Sequence, residues 1–178
     1  PLVDVAMPAL RKLPSEERSS LLRTAHLLIA ADGRVTVPEF LLFTILKRRL
    51  GPDAGRAVPV RFAELFPVSR EVGLVLSRVA AVRAPERAGH AFSAGAVTLR
   101  GVELNLVAAA DIRLDDVSAA LDRLNQLAPL IKPQLIKAAT AVAFVDGETN
   151  WRSATSLRMI CAALDAPLPP QVIEAEAG

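Results

Sequence analysis

The chain has 178 residues, 52% of them apolar and 22% charged, with a formal net charge of +2. This excludes a disordered chain, which would be poorer in Leu, Val and Ala, and it lacks the strong basic excess of a nucleic-acid binder. Aromatic residues make up 4%, with no Tyr, so the core is aliphatic and alanine-rich, a composition of strong helix formers that points to an all-α helical bundle.

The first start signal is Leu13-Pro14-Ser15-Glu16-Glu17. Ser15 can cap a helix, and the two acids suit its positive N-terminal end. Leu21, Leu22, Ala25, Leu28 and Ile29 then recur at helical spacing up to Asp32-Gly33, where glycine tolerates a left-handed C-terminal residue. Thr36-Val37-Pro38-Glu39 fits a capping box, with Thr36 as N-cap and Glu39 three residues on. Phe40, Phe43, Leu46 and Leu50 keep the helical period to the stop at Gly51-Pro52.

Residues 52–68 read as a connection. Ser69 opens a helix to about Val82, and Gly89, Gly95 and Gly101 reduce the following stretch to short pieces. Asp115 is the expected cap of a helix over 116–127. Another helix runs from about Pro133 to Val145 and ends at Asp146-Gly147. Asn150 restarts the last helix, which reaches Leu164, because Ala166-Pro167-Leu168-Pro169-Pro170 cannot continue it. The organisation expected is one helical domain over 1–170, with an irregular middle insertion at 53–113 and a tail at 171–178.

Residues 22–52 superpose on 136–166 at a constant shift of 114 without a gap. Asp32-Gly33 falls on Asp146-Gly147, Thr36 on Asn150, Ala25 on Ala139, Leu46 on Ile160 and Leu50 on Leu164. The joint match of turn, cap and apolar phase reads as two copies of one helix-turn-helix hairpin in a single bundle.

The Asp-Gly turns carry the candidate site residues. Asp32 and Glu39 in the first copy, with Asp146 and Glu148 in the second, supply carboxylates that suit a hard divalent cation such as calcium. The competing reading is capping, in which Asp32 satisfies free amides and Glu39 completes its box. The alternating acids of a full calcium loop are absent, and Ser153 stands where Glu39 would repeat. His26 and His90 have no partner at ligand spacing, and Cys161, the single cysteine, reads as a small core residue. One cysteine excludes an internal disulfide. The chain has no H-E-x-x-H, G-x-S-x-G, phosphate loop or G-x-G-x-x-G. Lys47-Arg48-Arg49 suits the negative end of its helix. Trp151 reads either as a large ring covering the core or as an exposed interface anchor.

No apolar run reaches the roughly 18 residues of a spanning helix, so no direct membrane span is expected. The chain starts at Pro1 without a Met, and we read it as a fragment whose upstream part holds a membrane segment or catalytic domain. The Asp32-Gly33-Arg34-Val35-Thr36…Glu39 segment resembles the TerB-like tellurite-resistance domains, all-helical bundles with an acidic Asp-Gly turn. The run Pro1-Leu-Val-Asp-Val-Ala-Met-Pro-Ala-Leu-Arg11, the Leu28–Glu39 segment, Ala139…Asp146-Gly147 and Leu164–Pro170 together resemble the C-terminal region of HtpX-like bacterial membrane zinc metallopeptidases.

The resemblance implies a non-catalytic accessory or protein-interaction domain on the cytoplasmic side of the inner membrane. No cofactor is expected in these residues, and zinc would lie in the upstream catalytic domain. The implied partner is that protease domain or another protein, and no nucleic acid. The alternative is a metal-responsive, TerB-like stress domain, with a divalent cation at the Asp-Gly turns.

Overall fold

The computed structural model describes residues 2–30, 36–52, 54, 58–83, 85–147 and 151–174. These residues are all-α, as the composition implies. The chain divides into two compact units, Pro1–Ala57 and Val58–Gly178. No helix among the described residues is long and apolar enough to cross a membrane.

The first unit holds α1 (Leu2–Leu10), α2 (Ser15–Ala30) and α3 (Val37–Leu50). Helix α1 precedes the first start signal in the sequence and contains Pro8, a residue that ordinarily disrupts a helix interior. Helices α2 and α3 pack together, and the rings of His26 and Phe43 meet at 5.3 Å. Leu21, Leu22, Ala25 and Ile29 are half-buried. Leu28, which shares their period, is instead 71% exposed. Helix α3 starts as read: the Thr36 Oγ1 accepts from the Glu39 N–H at 3.4 Å, and Glu39 Oε2 accepts from the Thr36 N–H at 2.8 Å. It stops at Gly51, whose N–H donates to the Lys47 carbonyl at 2.9 Å. A Cβ on Gly51 would lie 2.4 Å from that oxygen, so only glycine fits there.

The second unit is built around α4 (Ser69–Arg83), which packs against α5 (Ala88–Ala96), α6 (Leu114–Leu124), α7 (Lys132–Ala143) and α8 (Trp151–Leu164). Val72, Val75, Leu76, Val79 and Ala80 of α4 are all buried. The stretch read as an irregular insertion therefore supplies the central helix. Its glycines have specific roles. A Cβ on Gly95 would lie 2.4 Å from Val142 Cγ2 and 2.8 Å from the Ala138 carbonyl, so α5 crosses α7 at near backbone contact. A Cβ on Gly73 would meet the Asn105 carbonyl at 3.0 Å, where the non-helical segment 102–108 passes over α4 and Ser77 Oγ accepts from the Val107 N–H at 2.9 Å.

Helix α6 differs from its expected form. It begins at Leu114 after Arg113, with no side-chain cap, and Asp115 lies in the first turn beside Asp116. There the acids act on the helix dipole instead of capping an amide. After α8 the chain forms α9 (Pro170–Glu174), which packs on α8 and buries Val172 completely. The region read as a tail thus contributes to the core.

Candidate functional site

Of the four turn carboxylates, Glu39 and Asp146 are described, whereas Asp32 and Glu148 lie outside the described residues. Glu39 is committed to its cap: its Oε2 accepts from both the N–H and the hydroxyl of Thr36, at 2.8 and 2.6 Å. Asp146 is held by two cations. Its Oδ2 lies 3.5 Å from Arg83 and 3.6 Å from Arg87, and the Arg83 side chain is only 8% exposed. Gly147 follows in the left-handed conformation, φ 73°, that an Asp-Gly turn calls for. Both described carboxylates therefore already have hydrogen-bonded or ionic partners. No group of three or more metal-ligating side chains occurs among the described residues.

The nucleophile and base candidates are placed as follows. Cys161 is buried, and burial pushes its thiol up to about 11; a neutral thiol is a poor nucleophile. His26 lies against Phe43 with the ring planes tilted by 44°, and His90 is exposed on α5. Trp151 is 61% exposed, with the Arg152 guanidinium 5.5 Å from its ring centre.

A concave feature of the second unit was not read from the sequence. It is an open, mainly apolar groove of about 850 Å³ between the outer side of α7 and residues 165–171. Its floor is Pro133, Ile136, Lys137, Thr140, Ala141 and Phe144, spaced three and four apart so that they share one face of the helix. The opposite face of α7 (Leu135, Ala138, Ala139, Val142, Ala143) is buried in the core. Helix α7 is thus apolar on two sides.

The far wall is positioned by the end of α8. Asp165 adopts φ 51°, and the Ala166 N–H donates to the Cys161 carbonyl at 2.9 Å, a Schellman closure. Aspartate tolerates the left-handed region better than most residues. Pro167, Pro169 and Pro170 then carry the chain back along α7. Lys132 secures this corner: its ammonium donates to Asn125 Oδ1 at 2.7 Å and to the Leu164 carbonyl at 2.8 Å. The Thr140 hydroxyl donates within its own helix, to the Ile136 carbonyl at 2.8 Å. Lys137 is exposed on the floor, and no described residue pairs with it.

The sequence contains the signal for half of this site, since positions 133, 136, 137, 140, 141 and 144 can be counted off as a helical stripe. It gives no sign that Pro167–Pro170 returns to form the other wall. No family model, curated protein or solved structure matches the chain.

Proposed function

We propose that the chain is a non-catalytic, protein-binding accessory domain, and that it holds its partner in the groove between α7 and residues 165–171. The carrying observation is that groove, about 850 Å³ of mainly apolar space, large enough for a specific ligand or partner segment. Its exposed and half-buried apolar side chains gain from being covered, at about 25 cal/mol per Å² removed from water. The neutral, buried Cys161 thiol and the ion-paired Asp146 support a role in binding in preference to chemistry. On the resemblance stated above, the partner is the peptidase domain of a membrane zinc metallopeptidase within the same polypeptide.

The test is a photo-crosslinking residue at Ala141 on the groove floor of the purified full-length parent, with the same residue at exposed Glu86 as control. The reading expects a crosslink from position 141 to a peptide outside residues 1–178, with position 86 giving none. Equal labelling from both positions, or none from 141, would remove the groove as the interface.

A further inference from the structure

We infer that the occupant of this groove is an amphipathic α-helix that places a carboxylate beside Lys137, an inference that rests on the protein-binding reading above. Three features of the groove select that chemistry.

The first is backbone accounting. An extended peptide brings unpaired N–H and C=O groups, which are costly to bury without partners. Neither wall offers the regular alternation of donors and acceptors that a strand edge presents. The α7 floor is a helix whose main-chain groups bond internally, and the other wall contains Pro167, Pro169 and Pro170, which have no N–H to donate. Strand addition is therefore disfavoured, whereas a helix arrives with its own backbone satisfied.

The second is shape. The floor from Pro133 to Phe144 extends about 16 Å at the rise of an α-helix, enough for three turns of a partner. The side chains are spaced for helix-on-helix packing, with small residues, Thr140 and Ala141, between the larger Ile136 and Phe144.

The third is charge. Lys137 is an exposed cation in the middle of the floor, and the other charged residues lining the groove, Lys132 and Asp165, already have partners. Its aliphatic stem can lie along a partner's apolar side while its ammonium reaches the edge. There a Glu or Asp on the partner meets it in a partly desolvated setting, and a Lys or Arg is rejected by like charge.

The experiment uses the 178-residue chain and two fluorescent three-turn to four-turn helical peptides with the same leucine face, one flanked by Glu and one by Lys. Fluorescence anisotropy should show the Glu peptide binding at least about tenfold more tightly, because one peptide offers Lys137 a carboxylate and the other a like charge. K137E should reverse the order of the two peptides. Ala141→Trp should abolish binding of both while helical circular dichroism and the unfolding midpoint stay close to wild type; Thr140→Arg serves if Ala141→Trp does not fold.

Equal affinity for both peptides, or a preference that K137E leaves unchanged, overturns the inference. So does displacement of bound peptide by a fluorescent fatty acid, which would make the groove an acyl-chain site, or peptide-independent dimerisation through the groove in light scattering. Failure of the peptides together with a groove crosslink in the parent rejects the helical occupant and keeps the binding function. Failure of both rejects the binding function itself.

Discussion

Cys161 connects burial to a measurable pH dependence. Its thiol is raised from 9.0 to about 11 because the charged thiolate would be desolvated among the side chains of α8 and its neighbours. A raised pKa means the folded state holds its proton where the unfolded state has lost it. The stability contribution is therefore complete below about pH 9 and disappears as pH rises toward 11. Its size is on the order of 3 kcal/mol, at about 1.4 kcal/mol per pKa unit. Unfolding free energy measured from pH 8 upward should fall more steeply in the wild type than in Cys161→Ala; parallel slopes would show that the thiol does not titrate this way. Glu39 gives a second prediction at this scale. Removing its carboxylate in Glu39→Ala should cost about 1 kcal/mol, as for other cap losses. Because Glu39 and Asp146 already have partners, millimolar calcium should leave the unfolding midpoint in place. A ligand that binds only the folded state must raise it, so a calcium-dependent rise that Glu39→Ala or Asp146→Ala removes would establish the turns as a cation site.

Among the elements, the crossing of α5 and α7 leaves little room for change. Gly95→Ala puts a methyl 2.8 Å from the Ala138 carbonyl, which cannot move without displacing α7. Such overpacking costs about 1–3 kcal/mol. Val142→Ala in the same chain should recover only part of the loss, because the backbone clash remains. Full recovery in urea unfolding would mean that the helices slide apart freely. In the sequence Gly95 shows only as a helix weakener, because the neighbour that requires it is 43 positions away, at Ala138. Local signals were read more successfully. The Thr36–Glu39 box, the Gly51 stop and the left-handed Gly147 depend on residues within a few positions of one another. One pair of helices keeps the repeat's offset, since α3, Val37–Leu50, shifted by 114 gives the bounds of α8, Trp151–Leu164, whereas α2 shifted likewise starts before α7. Asp115 shows the limit, since an acid at a helix start can cap an amide or act on the dipole and both look alike in sequence. The groove lay beyond local reading altogether, because its second wall depends on a chain reversal set by the backbone at Asp165.

At the scale of the whole molecule, the two hairpins that the sequence pattern reads as copies within a single bundle fall in different compact units, α2–α3 in the first and α7–α8 in the second. In the second unit α7 and α8 are joined by α4, α5 and α6, which supply the apolar surface that a lone hairpin lacks. Val68, Val72, Leu76, Leu121, Leu124, Leu135, Leu157 and Ile160 are each 2% exposed or less, and all come from residues 58–178. A segment of this size with a continuous core can fold alone, since burial efficiency at about 120 residues already approaches that of larger domains. Residues 58–178 expressed separately should give helical circular dichroism and one cooperative thermal transition. Leu76→Ala should destabilise this fragment and the 178-residue chain by the same amount, about 3 kcal/mol, because the cost of a buried cavity is set by its immediate neighbours. A fragment without a cooperative transition, or a Leu76→Ala penalty that differs between fragment and full chain by more than about 1 kcal/mol, would show that the second unit's core depends on residues before Val58. An equal penalty would locate the determinants of this core, and of the groove built on α7, within residues 58–178.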